Sequence, residues 1–290
     1  MIIQRALKRY SIPGLMKLVF HRFIGLSTNK YRALPDFIII GAQRAGTTSL
    51  FNYLAEHPDI HPSIPKETQY FSIYFNKGLS WYRSHFPLTS NREVNNRYQK
   101  QTFVSGEATP YYIFHPYAAK RIFDVIPNVR LIILLRNPVD RAYSHYQYEK
   151  QLDIEKLTFK EAVGMETERL AGELETMISD DSYQSFNYQH FSYLLRGKYI
   201  DQIIDWNKYF SLDQMLILSS EDFFHNPGIT LDRVTEFLDL ENIKISTFGK
   251  YNSTQSNQMN SSLQASLIEY FKPYNLRLYD FLNHDFGWNN

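Results

Sequence analysis

No cysteine occurs among the 290 residues, which excludes disulfides, thiolate metal sites and cysteine nucleophiles and suits a reducing compartment such as the cytoplasm. Long apolar runs are missing as well. In the first 35 residues the apolar side chains from Ile2 to Ile24 are interrupted every few positions by Lys or Arg, so nothing approaches the roughly 20 apolar residues of a spanning helix. No small-residue cleavage site follows, which argues against a signal peptide. The same stretch has no acidic side chain but seven basic ones: Arg5, Lys8, Arg9, Lys17, Arg22, Lys30 and Arg32. The remainder holds 24 basic against 30 acidic residues, so a net charge of +1 hides a basic arm on an acidic body. An arm over residues 1–35 with this amphipathic character is suited to lie on an anionic membrane surface, or to pack on the body with its basic residues solvated. The body has no basic stripe interleaved with aromatics, so nucleic acid is not expected as a partner. Nine histidines are present, but none makes a metal-ligand spacing with another, and no metal is expected.

What is present is a chain with 43% apolar residues, enough for one large domain over residues 36–290. Its 22 Tyr and 21 Phe suit a site for rings or sugars and equally an ordinary core. Short apolar segments at Asp36–Ile40, Thr102–Ser105, Arg130–Leu135 and Gln214–Leu218 read as strands. Helical patterns fall between and after them, at Thr47–His57, 115–126, 138–150, 191–208, 228–239 and 261–283. Alternating strands and helices predict an α/β fold in three layers, a central parallel sheet covered on both faces. The acid-rich stretch 151–189 reads as a helical excursion on the surface. Trp81 and Trp206 sit in amphipathic segments and are expected in the core.

The stretch "FIIIGAQRAGTTSLFNYL" keeps the frame of the nucleotide-binding pattern G-x-x-x-x-G-K-[ST], from Gly41 to Thr48, but has Thr47 in place of the lysine. Arg44 carries the charge instead. A strand, a glycine loop and a helix in that order aim backbone N–H groups and the positive end of the helix dipole at an anion. Without the lysine that spans two terminal phosphates, triphosphate hydrolysis is disfavoured. The carboxylate that would hold Mg²⁺ is missing from the end of "LIILL", which runs into Arg136. A cationic strand end opposes a metal and favours a phosphate.

A second constellation is "LLRNPVDRAYSHYQYEK". Asn137 caps a helix with Pro138 in its first turn, and residues 137, 141, 144 and 148 share a face. Arg136 at the strand edge and the Ser144 hydroxyl can clamp a second phosphate, at the edge where open α/β sheets bind ligands. A capped surface helix with Arg141 paired to a neighbouring acid would explain the caps but not the position of Arg136. Two phosphate sites without a metal carboxylate describe a nucleotide phosphorylated at both ends of its ribose.

These segments, with "PKETQYFS", "GEATPYY", "LLRGKYIDQIIDWNKYF", "MLILSSEDFFHNP" and the terminal "FKPYNLRLYDFLNHDFGW", resemble in order and spacing the sulfotransferases that use 3′-phosphoadenosine-5′-phosphosulfate (PAPS). The similarity is greatest to the branch acting on heparan-type and other glycans, and it runs from about residue 36 to the C-terminus. It implies a P-loop-NTPase-like sulfotransferase fold, PAPS as co-substrate and 3′,5′-adenosine bisphosphate (PAP) as product, without a metal. Carried over by position, it makes Arg44, Ala45, Gly46, Thr47 and Thr48 the 5′-phosphosulfate loop. Arg136 and Ser144 become the 3′-phosphate pair, and Glu67 the catalytic base, with His115 or His61 as the fallback. A carboxylate there can take the proton of an attacking hydroxyl or amine, and Lys66 beside it can help hold the sulfonate.

The chain departs from that pattern at three places. Arg44 stands where the family usually has Lys, so electrostatic stabilisation of the leaving oxygen is expected rather than proton donation. Ala108 replaces a lysine common in heparan-type members. The family's disulfide-bounded nucleotide loop has no cysteines here, leaving Lys250 and Tyr251 in "GKYNSTQSN" as donor contacts. The acceptor is expected to be a glycan, with a small natural product as the alternative. A metal-dependent P-loop kinase and a non-catalytic nucleotide-binding or membrane-tethered scaffold are the competing classes.

Overall fold

The computed structural model describes residues 24–90, 102–242 and 259–289. Five parallel strands form one sheet: β1 (Phe37–Gly41), β2 (Ile60–Pro62), β3 (Val104–Ala108), β4 (Arg130–Leu135) and β5 (Met215–Ser219), in the order β2-β3-β1-β4-β5. Every residue of β1 and β3 is buried, as a central parallel strand covered on both faces requires. The chain builds β2 and β3 on one side of β1, then crosses to build β4 and β5 on the other. That reversal opens a crevice beyond the carboxyl ends of β1 and β4.

The helices that shape the crevice are α1 (Thr47–Leu54), α2 (Leu79–Arg83), α3 (Ala118–Val125), α4 (Pro138–Gln151), α5 (Tyr199–Asn207), α6 (Ser220–His225), α7 (Pro227–Phe237) and α8 (Ser261–Leu282). Short helices at Phe159–Gly164, Glu166–Leu170, Glu173–Ser179 and Phe186–His190 make up the expected excursion. Trp206 is buried in the main core, and Trp81 packs against it.

Two elements differ markedly from the periodicity, and one strand, β2, is not expected from it. The third strand of the chain begins at Val104 and continues through Gly106, Glu107 and Ala108, rather than stopping at Ser105. Glycine is needed there, because a Cβ on Gly106 would lie 2.1 Å from the Phe37 ring of the neighbouring strand. The helix expected over 191–208 starts only at Tyr199, after a turn of 3₁₀-helix at Leu195–Gly197. Phe271 of α8 packs so closely on Gly197 that a Cβ would meet its ring at 2.6 Å. The edge strand β2, with its histidine and proline, lacks the apolar run that marks the others.

Of the basic arm, residues 24–35 are described. Arg32 is buried there, donating to Thr28 Oγ1 at 2.8 Å and to the Phe86 carbonyl. Residues 1–23 lie outside the described residues, as do Lys250 and Tyr251.

Candidate active site

The loop from β1 to α1 is shaped by two left-handed residues, Arg44 at φ 72° and Gly46 at φ 98°. At Gly46 a side chain is excluded twice, by that φ and because a Cβ would lie 2.8 Å from the Phe224 ring. Gly46 is also the N-cap of α1 and offers no side-chain cap. The N–H groups of the first turn therefore face the crevice with the helix dipole behind them, a ready anion site. Thr47 is buried and Thr48 half-buried at the same end.

The loop's outward groups are held from behind. The Ser220 hydroxyl donates to the Ala45 carbonyl at 2.8 Å, and Arg136 Nη1 donates to the Arg44 carbonyl at 3.1 Å. Arg196 donates to Gln43 Oε1 while its guanidinium lies between the rings of Tyr111 and Phe114, 4.8 Å from each centroid. With these acceptors engaged elsewhere, the loop presents donors to the crevice.

Arg136 follows β4 directly, as expected. Its own carbonyl accepts from Tyr199 OH at 2.8 Å. Asn137 then caps α4, its Oδ1 accepting from Val139 N at 3.0 Å and Asp140 N at 3.4 Å. The Asn137 N–H donates to Glu221 Oε1 at 2.8 Å, and Trp288 Nε1 donates to Glu221 Oε2 at 3.3 Å, so the C-terminal segment buttresses the β4–α4 corner.

Two turns along α4, Ser144 Oγ accepts from Arg44 Nε at 3.1 Å, and the Arg44 guanidinium lies 5.0 Å from the Tyr148 ring centroid. Arg44 thus forms one cluster with Arg136 and Ser144, which lie 92 and 100 residues from it in sequence. Burial pulls the Arg44 pKa below the ordinary guanidinium value; Tyr148 opposes that, Arg136 adds to it and Glu149 opposes it. A guanidinium keeps its charge through such a change. Arg141 is fully buried and donates to the Tyr193 carbonyl. It therefore belongs to the helix packing and not to a surface pair with a neighbouring acid.

Glu67 lies on the segment that follows β2, half-buried. Its carboxylate accepts from Lys66 Nζ at 3.1 Å and from Gln69 Nε2 at 3.3 Å. The Lys66 carbonyl accepts from Ala108 N at 3.3 Å, and Thr109 N donates to the Ile39 carbonyl of β1 at 3.0 Å. The Glu67 segment is therefore seated on the end of the strand pair that leads into the phosphate loop. His115 is buried, and burial, then Arg121 and Arg196, push its pKa down to about 3. His61 stacks on Phe103 with ring centroids 4.3 Å apart and is also lowered by burial, against Asp59. In both, the surroundings disfavour the protonated imidazolium.

Sequence reasoning missed Gln43, Arg196, Glu107 and Tyr199. Glu107 had a visible signal: Ser105, Glu107 and Thr109 alternate, which places three polar groups on one face of an otherwise apolar strand. Arg196 follows the mainly aromatic and aliphatic run 191–195, a position where burial against a partner is the usual reason for charge.

A parallel sheet with this strand reversal, a lysine-free phosphate loop and an arginine at the end of β4 define a nucleotide-handling α/β transferase. The family model described as Sulfotransferase domain matches residues 34–272, and the chain belongs to this family and is a sulfotransferase. It is 30% identical to the membrane-associated sulfotransferase kil1 of Dictyostelium discoideum, an alignment covering 90% of this chain and 68% of that protein. It is 29% identical to human heparan sulfate glucosamine 3-O-sulfotransferase 3B1, over 89% of this chain and 66% of that one. The chain thus spans about two thirds of the length of these relatives. Among solved structures, a sulfotransferase from Alicyclobacillus acidocaldarius superposes with a TM-score of 0.68 at 28% identity, covering 89% of this chain and all of that one.

Proposed function

We propose that this sulfotransferase moves a sulfonate from PAPS to a hydroxyl or amine of a glycan. The observation that carries this reading is the Arg44–Ser144–Arg136 cluster, which joins the phosphate loop to the first turns of α4. In the proposed complex, the loop of residues 44–48, through its backbone N–H groups other than that of Ala45 and through the hydroxyls of Thr47 and Thr48, holds the 5′-phosphosulfate. Arg136 and Ser144 take the 3′-phosphate through charge-assisted hydrogen bonds. The acceptor oxygen or nitrogen attacks sulfur and the bond from sulfur to the bridging oxygen breaks, its electron pair staying on the 5′-phosphate of PAP. Glu67 accepts the acceptor's proton, and Arg44 stabilises the charge that develops on the bridging oxygen. Lys66, paired with Glu67, is proposed to move to the sulfonate when the donor enters.

The glycan acceptor is supported by the heparan-sulfate-modifying relative and by Glu67 in its "PKETQYF" context; a small natural product is the alternative. Lys250 and Tyr251 are proposed donor contacts. The basic arm is proposed to rest on anionic membrane. Full-length protein should sediment with phosphatidylserine vesicles in low salt and be released at high salt, and equal recovery with neutral vesicles would refute it. Among the described residues no helix is long and apolar enough to cross a membrane.

The donor site is tested by calorimetric titration with PAP, with and without Mg²⁺, and with ATP as control. PAP should bind tightly without regard to Mg²⁺, and Arg136→Ala should weaken it. Preferential, Mg²⁺-dependent binding of ATP would overturn the donor assignment and make the loop that of a kinase.

A further inference from the structure

Glu107 is a carboxyl with no place in the reaction just described, yet it is completely buried at the end of β3. Its Oε2 accepts from Thr68 Oγ1 at 2.8 Å and its Oε1 from Thr109 Oγ1 at 3.1 Å. Thr68 Oγ1 also lies 3.1 Å from Tyr112 OH. Each of these three hydroxyls faces a backbone N–H of the segment that follows Glu67. Gln69 N donates to Thr109 Oγ1 at 3.4 Å, Tyr70 N to Thr68 Oγ1 at 3.3 Å, and Phe71 N to Tyr112 OH at 3.2 Å.

The polarity of this network follows from donor counting. A hydroxyl that accepts from a backbone N–H still has its own proton to place. Thr68 and Thr109 both place it on Glu107. A carboxyl offers two acceptor oxygens, one to each of these hydroxyls. Serving this purpose has a cost: burial pushes the Glu107 pKa up to about 7, against the hydrogen bonds from Thr68 and Thr109 that hold it down. The titratable groups facing it, Tyr82 of α2 and Tyr112, are themselves raised well above the ordinary phenol value, first by burial and then by Glu107, and are neutral.

We propose that Glu107 is a positioning residue for Glu67: through Thr109, Thr68 and Tyr112 it fixes three consecutive amides, and with them the direction in which the Glu67 carboxylate faces the acceptor. This rests on Glu67 being the base. Gln69 links the two levels, since its N–H is held by Thr109 while its side chain donates to Glu67.

The test uses full-length Glu107→Gln, which keeps the shape but puts an NH₂ against one of the two hydroxyls. Thr109→Val, which frees only the Gln69 amide, is the milder partner should Glu107→Gln fold poorly. Amide hydrogen exchange at residues 69–71 is read on the PAP-bound protein, and turnover is read with PAPS and desulfated heparin. In Glu107→Gln the three amides should exchange about tenfold faster or more. Its kcat should fall by about ten- to a hundredfold, as expected of a misdirected base, with the donor KM within about twofold of wild type. Thr109→Val should show the same pattern to a smaller degree, with the faster exchange at Gln69. Unchanged exchange at 69–71 in both variants would overturn the proposal, as would full kcat in Glu107→Gln while Glu67→Gln is inactive. Full turnover in Glu67→Gln would instead refute the base assignment. If wild type does not sulfate desulfated heparin, the heparan-type acceptor is refuted and the exchange measurement decides the role of Glu107.

Discussion

The two sides of the crevice are held in place by opposite means. On the donor side, between β1 and β4, cations and hydroxyls engage the carbonyls of the loop: Arg136 that of Arg44, and Ser220 that of Ala45. Ala45 N–H donates within the loop to the Ala42 carbonyl at 3.2 Å, and the N–H groups of the first turn of α1 are left for the ligand. On the side of Glu67, between β2 and β3, hydroxyls engage the N–H groups of Gln69, Tyr70 and Phe71, and a buried carboxyl accepts from two of these hydroxyls, those of Thr68 and Thr109. The first arrangement suits binding an anion that arrives from solvent. The second suits holding one carboxylate in a fixed direction while an acceptor hydroxyl or amine comes and goes. Donor affinity and proton transfer should therefore be separable by mutation.

The largest expected effect is on turnover alone. Glu67→Gln should lower kcat by about 10²- to 10⁴-fold, the usual share of a general base, and leave PAP affinity within about twofold of wild type. Equal losses in kcat and PAP affinity would mean that the two sides are not independent. The converse comes next. Arg136→Ala removes a charged donor to phosphate and a brace of the loop carbonyl, so PAP affinity should drop by up to about a hundredfold, or about 2 to 3 kcal/mol. Amide protection at residues 69–71 should be unaffected in that variant, because no hydrogen bond of the Glu107 network passes through Arg136.

The same contrast explains which parts were readable in the sequence. The donor side is carried by short contiguous motifs. Gly41 to Thr48 and Arg136 to Ser144 each place a glycine, a cap or a hydroxyl at a spacing fixed by one turn or one helix, so Asn137, Pro138 and Ser144 could be located from α-helical periodicity. The Arg44–Ser144 bond, spanning 100 residues, needed only that both motifs end at the same sheet edge. The Glu67 side has no such local code. Thr68, Glu107 and Tyr112 meet only because β2 lies beside β3, and β2 is a three-residue strand with a proline that no periodicity reveals. The β3 boundary was misplaced for the same reason, since Gly106 belongs in the strand because of the Phe37 ring beside it and not because of any strand propensity. Arg196 was hidden likewise: its segment was legible as part of a motif, but its bond to Gln43 joins residues 153 apart.

A smaller effect, on stability and not on catalysis, sharpens the comparison because the carboxyl of Glu107 is fully buried whereas Glu67 is half-buried. The Glu107 carboxyl is raised from 4.5 to about 7 in the folded protein. Below 4.5 it is neutral in both states and its burial is not opposed. As pH rises, the unfolded chain ionises first, so stability is lost progressively until the pH passes about 7 and the folded carboxyl ionises as well. Between pH 5 and 7 this amounts to about 2 kcal/mol, because each tenfold change in proton activity is worth about 1.4 kcal/mol to a group ionised in one state only. Chemical denaturation of wild type and Glu107→Gln across that range isolates the contribution, since every other titrating group is common to both. The difference, wild type minus variant, should decline with rising pH. A difference that stayed flat would mean that Glu107 is ionised in the folded protein throughout, its burial fully offset by the hydroxyls of Thr68 and Thr109. A difference that rose would mean that those hydroxyls stabilise the charged form beyond what water does, and the Glu67 side would then be held as firmly as the donor side.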